Sequence, residues 1–524
     1  MKLRVISIFV FVGLLVFALS LMFVAGSNGD QLSQADYRGL AVCEGVIQLF
    51  KHFPDSIWPG YDLSERPFMF YMPERALLFN CSKEIDGFTT YPQDWPDLGT
   101  DVLVYDGLYD DLSGQLRFGL SVDTVDFAAV PFTKKTNVEL FGFIVHENFH
   151  EYQQYGEHPA FGEIPWEREQ KYPILDVENT ALAYLEMRLL MDALQAAKTG
   201  DESKCRDYVR QFVAVRDHRW KHADPFVASY EQGQEINEGT AKYVELKSIE
   251  LMTRLRYESS LSGLTSPLTD EFSSISMPEY LLADFADRMT GSSVSPEDMA
   301  RNRIYPVGSG QGFLLDYLRI DWKEKAQQAG PDFTFAELLR EQLGVQEEEL
   351  DDLTEKAKQA YGYPEILTST DSLIQEYSRG FNQALGLFEA QDGYRVEINL
   401  SSKNLRRSRS SSEKKWLADK GTKELCSHFD IYVLESFFDS TLLFQLHDAG
   451  LLEQNDWDSG GKKIIFFVPE ISSVSLNGVP VEIQGESQRQ FEQIEVSGDN
   501  LKLRCYKEGT VSIGRRDIRI SLIP

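Results

Sequence analysis

The chain has 524 residues, enough for roughly three to four ordinary domains, and its 42% hydrophobic and 26% charged residues are typical of a folded globular protein. Global disorder, a collagen and a multi-span membrane protein are thereby excluded. Against 52 Lys and Arg stand 82 Asp and Glu, a net charge of −30 that repels phosphate backbones and anionic membrane surfaces, so no nucleic-acid partner is expected. Cys43, Cys81, Cys205, Cys426 and Cys505 show no CxxC spacing and are odd in number, so neither a cysteine zinc site nor a disulfide-stapled mini-domain is expected.

Lys2 and Arg4 precede an apolar run from Val5 to Ala25, followed by small and polar residues. This reads as an export segment, residues 1–26. A signal peptide cleaved near Ala25 or Gly26 and an uncleaved anchor both fit, since the run is just long enough to span a bilayer. Either places the bulk of the chain outside the cytoplasm, secreted or membrane-anchored. From Gln31 to Gly119, short apolar runs such as Ala76 to Phe79 and Val102 to Tyr105 mix with Pro and Gly, which reads as strands and loops in a lead-in of α+β character. Thr124 to Phe132 alternates as a strand and feeds a helical pattern from Asn137 to Tyr155. Further helices are expected at Val177 to Lys198, Lys204 to Arg219, Tyr230 to Arg256, Gly308 to Leu318, Phe335 to Leu343 and Glu347 to Tyr361.

After about Asp392 the pattern changes to short alternating runs, with Asn477-Gly478 as a strong hairpin signal. Lys403 to Lys415, rich in Arg and Ser, reads as a solvated loop. The expected fold class is therefore α+β: a mainly helical region over 27–390 with a β-rich lead-in, then a β-rich domain over 391–524 that is β-sandwich-like or a barrel-like sheet. The sequence shows no repeat at solenoid periods.

His146, Glu147, Asn148, Phe149 and His150 spell HExxH inside a helical pattern. Residues four apart lie one above the other on a helix, so the two imidazoles can converge on one metal ion, while Glu147 is rotated by about 100° and suits a general base. Phe141 to Val145 ahead of the motif is apolar, as a buried helix requires. A catalytic zinc needs a third protein ligand, and His158, Glu178 and Glu238 compete for that place. The metzincin pattern fails, because Gln153 and Gly156 stand where it needs Gly and His. Glu178 opens one helix; Glu238 lies in Asn237-Glu238-Gly239-Thr240-Ala241.

HENFH followed by NEGTA resembles the gluzincin metallopeptidases, in particular the HExxH and NEGxA pair of M1-type aminopeptidases. A group of poorly characterised exported bacterial HExxH proteins is similar through Glu178 to Leu190, Glu235 to Tyr243 and Arg303 to Leu318. The resemblance covers Phe141 to about Leu318. It implies a zincin-like catalytic region with zinc on His146, His150 and Glu238, and with Glu147 as the base. Two features depart from the aminopeptidases: a longer gap between His150 and Glu238, and no GxMEN-type exopeptidase motif before HENFH.

Glu178 and Glu235 then become candidates for orienting the histidines, because metal-bound imidazoles usually donate their other N–H to a carboxylate. Tyr305 is a candidate to stabilise an oxyanion. Gly308, Gly310 and Gly312 superficially suggest a phosphate loop, but no P-loop Lys follows, and a close-packed helix is the simpler expectation. No GxSxG elbow is present. The expected function is an exported zinc metallopeptidase acting on a peptide or protein substrate, with envelope association through its N-terminal segment or its C-terminal region. The rival is a non-catalytic surface binding or structural protein retaining a peptidase fold.

Overall fold

The structure is a computed structural model that describes residues 32–522 apart from 73–74, 94, 107–119, 123–124, 132–135, 156–165, 256–271, 273–275, 291–294, 401–404, 411–414, 419–420, 437–441, 457–460 and 483–486. The expected export segment lies outside the described residues. Among those described, no helix is long and apolar enough to cross a membrane.

Helix α1 (Gln34–His52) opens the fold. Ser33 and Asp36 close a reciprocal capping box at its start. The lead-in was expected to be α+β without its helix being placed, and α1 is that helix. It is buried on nearly all sides, from Gly39 to Phe50, so it carries no polar stripe by which a helical period could be read. A six-stranded sheet follows, built from β1 (Phe68–Met72), β2 (Arg75–Phe79), β3 (Thr89–Thr90), β4 (Val102–Asp106), β5 (Leu120–Val122) and β6 (Val125–Pro131) in the order β3-β4-β2-β1-β6-β5. Only β1 and β6 pair in parallel. Phe68, Phe70, Leu77 and Phe79 face the main core, whereas Met69, Ala76 and Leu78 alternate to a small cluster on the other side.

Strand β6 delivers the chain into α2 (Asn137–Tyr155), which packs on α1 and on the sheet. Then come α3 (Val177–Lys198), α4 (Glu202–His222) and one long helical run: α5 (Pro225–Gln234), a π-helical turn (Glu235–Gly239) and α6 (Thr240–Leu255). Helix α6 lies along α2. The helix Ile304–Tyr317 crosses the π-turn so closely that a Cβ on Gly239 would sit 2.7 Å from the Cα of Gly308. Only glycine at both positions permits that crossing. The Gly308-Ser-Gly-Gln-Gly run is therefore helical packing surface, with Gly312 against Trp322 and Tyr243.

A 27-residue helix, Tyr363–Glu389, leads to the C-terminal strands. These form one hydrogen-bonded sheet that bends as a half-barrel around a single core including Val396, Phe444, Phe466, Leu503 and Ile520. The chain is α+β, as its pattern predicts. Strand β7 (Tyr394–Leu400) pairs in parallel with the last strand, Asp517–Leu522. Asn477 and Gly478 take φ of 51° and 76° between Leu476 and Val479, the turn expected for Asn-Gly.

The Arg- and Ser-rich segment departs from expectation. Leu405–Ser410 is strand β8, paired with β10 (Lys423–Ser436), with the short β9 (Lys415–Leu417) beside it. Serine and arginine alternate there, and charge on a strand at the margin of a sheet is compatible with pairing on one side only.

The half-barrel is bonded to the helical region. Phe381 and Phe388 of the long helix share a cluster with Leu425, Leu452 and Ile465, and Tyr377 Oη accepts from the Leu417 amide at 2.7 Å. Gly421 (φ 61°) lies against the 3₁₀ turn Trp166–Lys171, where a Cβ would come within 2.1 Å of the Gln170 carbonyl oxygen. Gln170 Nε2 donates to Glu424 at 3.1 Å.

Candidate functional site

The site forms where α2 meets the π-turn. His146 and His150 stand one turn apart on α2 with their Nε2 atoms 3.1 Å apart, and Glu238 Oε2 lies 3.5 Å from the first and 3.3 Å from the second. All three residues are buried, and together they could hold a metal ion. Ligands bound tetrahedrally at about 2.0–2.1 Å stand about 3.3–3.4 Å from one another, which is the spacing found here.

The hydrogen-bond network fixes the tautomers. Gln153 Nε2 donates to the carbonyls of Ile236 (3.3 Å) and Asn237 (3.0 Å) and to Thr240 Oγ1 (2.9 Å), so its Oε1 is the acceptor left for His150 Nδ1 at 2.7 Å. His146 Nδ1 meets Glu245 Oε2 at 3.1 Å. Both Nδ1 atoms therefore carry a proton, and both Nε2 atoms are turned toward the Glu238 carboxylate. With their lone pairs free, the three groups repel unless a proton or a cation joins them. That donor set, two neutral imidazoles and a carboxylate, suits a divalent transition metal.

The π-turn produces this geometry locally. A π-turn places an extra residue in the helix, breaks the regular ladder and frees carbonyls, which Gln153 occupies. Glu245 follows Glu238 by two helical turns and so returns to the same face. Lys242 Nζ holds Glu245 Oε1 at 2.5 Å.

Electrostatics follow from burial and these partners. Burial alone would lower the His146 pKa, but hydrogen bonds to Glu238 and Glu245 outweigh it and raise it to about 9. Burial disfavours ionised Glu238, yet His150, His146 and Arg301 hold it well below the carboxylate range. Burial opposes ionised Glu245 too, and Lys242 and His146 bring it to about 2. For Glu147, burial dominates over the two histidines and raises its pKa. A carboxylate so raised is a better proton acceptor than an ordinary glutamate.

Tyr305 is buried, its ring 6.0 Å from that of His146, and it lies close enough to the Glu238 carboxylate to interact with its charge. Arg301 reaches the same carboxylate, with Nη2 donating to Glu238 Oε1 at 3.3 Å and to Tyr305 Oη at 3.4 Å. Neither Glu178 nor Glu235 orients a histidine. Glu178 is exposed on the first turn of α3, where a carboxylate suits the helix dipole and its charge acts on His218. Glu235 is buried but turned to the other side of the π-turn, where it accepts from Arg216 at 2.6 Å and Gln311 at 2.8 Å. His158 lies outside the described residues.

Glu235 belongs to a second buried cluster beneath the first. Arg216, Arg219 and Arg303 are interleaved with Glu186, Glu231 and Glu235, and none of the six is more than 2% exposed. Arg216 bridges Glu186 (2.7 Å) and Glu235 (2.6 Å), Arg219 bridges Glu186 (2.6 Å) and Glu231 (2.5 Å), and Arg303 adds to Glu231 (2.5 Å).

Sequence reasoning missed Glu245, Gln153, Lys242 and Arg301. Helical spacing held the signal for the first two: Gln153 is three residues after His150, and Glu245 seven after Glu238. No protein-family model, curated protein or solved structure matches the chain.

Proposed function

We propose that the chain is a zinc-dependent hydrolase of gluzincin type that cleaves peptide bonds outside the cytoplasm. The observation that carries this reading is the convergence of three lone-pair donors, His146, His150 and Glu238, directly beside Glu147. Those three residues would hold the ion, which when bound supplies Lewis acidity to a carbonyl and acidifies water. Glu147, its pKa raised by burial, takes the proton from the attacking water and delivers it to the departing amine. Tyr305, kept protonated because burial lifts its pKa well above the usual value, donates its hydroxyl to the oxyanion of the tetrahedral intermediate. Glu245 and Gln153 hold the imidazoles in the required tautomer. The apolar N-terminal run is the feature that supports export.

The test couples metal content to turnover. Wild type and Glu147→Gln, each with zinc measured, are incubated with a mixed peptide library, and new termini are followed by mass spectrometry. Both proteins should carry about one zinc per chain, and turnover in the variant should fall by about 10²- to 10⁴-fold. Equal cleavage by both would remove Glu147 from the mechanism. Zinc-loaded wild type that cleaves nothing across a broad library would favour a binding protein with a peptidase fold.

A further inference from the structure

Four arginines surround the cluster, and they are of two kinds. Arg216, Arg219 and Arg303 are each 1% exposed and are matched by three equally buried glutamates at 2.5 to 2.7 Å. Arg301 keeps 26% of its side chain exposed and makes longer bonds: 3.3 Å to Glu238, 3.4 Å to Tyr305 and 3.2 Å to Glu169. Glu169, on the 3₁₀ turn Trp166–Lys171, is itself 37% exposed. His146, Glu147, His150, Glu238 and Tyr305 are all below 9%. Among the described residues of the site, Arg301 is thus the one that most meets solvent, and it marks the side from which a solute arrives.

Once Glu238 is committed to a cation, the counterion left to Arg301 is Glu169. Exposed pairs of this kind are weak, because water competes for both partners. An incoming carboxylate can therefore take the place of Glu169 on Arg301 Nη1 at small cost and accept a charge-assisted bond there. We propose that Arg301 recognises a carboxylate of the substrate, either its C-terminus or an acidic side chain near the scissile bond, and that Glu169 is the group it displaces. The proposal rests on the peptide-hydrolysis reading and names a substrate class for it. Recognition of this sort is local: the net charge of −30 draws no anion from a distance, and such fields are screened within about 8–10 Å.

The test uses zinc-loaded full-length Glu147→Gln and three sets of N-acetylated tripeptides: neutral with a free C-terminus, neutral and amidated, and amidated with one Asp or Glu. Binding is measured by titration calorimetry. One or both carboxylate sets should bind about tenfold or more tightly than the neutral amides, and which set does so identifies the source of the carboxylate. Adding Arg301→Gln should bring that ratio to about one with zinc content unchanged, and adding Glu169→Gln should tighten carboxylate binding. A ratio near one in the parent overturns the proposal, as does a ratio that survives Arg301→Gln, which would place the carboxylate on the metal. Zinc loss in Arg301→Gln would make Arg301 a support for Glu238 and overturn it equally. A parent that takes up no zinc defeats the hydrolase reading instead, and without a cation on Glu238 the premise of this proposal falls with it.

Discussion

Two buried polar clusters share the π-turn, and their difference separates structure from chemistry. In the lower one, three guanidiniums face three carboxylates and the charges sum to zero, although Arg303 Nη1 is buried without a hydrogen-bond partner. In the upper one, His146 Nε2, His150 Nε2 and Glu238 Oε2 converge within 3.1 to 3.5 Å of one another. A charge-compensated network calls for no ion from outside. Converging acceptors are stable only with a cation or a proton among them, so the unbalanced cluster is the one that could hold a metal ion.

The contrast can be broken from either side. The largest effect should come from His146→Ala or His150→Ala, each of which should abolish stoichiometric metal uptake, read by elemental analysis after purification without added metal. Zinc retained in both variants would end the metal assignment. In the lower cluster, Glu186→Leu takes one partner each from Arg216 and Arg219 and should cost about 3–5 kcal/mol of stability in urea melts, because three buried guanidiniums are left facing two carboxylates. Metal content at low denaturant should stay unchanged, and a variant as stable as wild type would show the network to be dispensable.

Smaller effects sharpen the comparison. Gln153→Leu and Glu245→Gln leave the three ligands in place but release their tautomers, and each should weaken metal affinity by about 10- to 100-fold in a chelator competition. In the cobalt-substituted protein the visible absorption should shift as well, which loss of packing alone would not cause. The last effect is one of pH. In the metal-free protein His146 titrates near 9, above the ordinary value of 6.5, so the stability it contributes is fully present below about 6.5 and is lost as pH rises through 9. In that window the folded state holds the extra proton, and stability should fall by up to about 1.4 kcal/mol per pH unit. Saturating metal should flatten that slope, and an equal slope with and without metal would show that the ion does not replace the proton.

Much of this site was legible in the sequence because its parts lie on regular helices. The i, i+4 spacing of His146 and His150 and the apolar run before them need only the helical period. Glu235 and Glu178 were less legible. The direction of Glu235 depends on a π-turn, which no hydrophobic period announces, and Glu178 faces solvent on a helix whose first turn cannot be told from a buried one by composition. Helix α1 was missed for the opposite reason, being buried on nearly every side. The paired strands β10 and β11 (Leu442–Asp456) carry interspersed Asp, Glu, His and Gln that lower local strand preference, and their long-range pairing supplies what local propensity does not.

The contact between Gly421 and Gln170 bears on how the protein can be taken apart. Gln170 adjoins Glu169, which holds Arg301, which touches Glu238, so a continuous line of bonded groups runs from a turn of the C-terminal sheet to the ligand cluster. Residues after 390 are consequently not a detachable accessory. A truncated chain would expose Phe381 and Phe388 and would leave the 3₁₀ turn without its backstop. A foreign sheet grafted in its place would have to present, where it packs on the Gln170 carbonyl, a residue with no side chain at all.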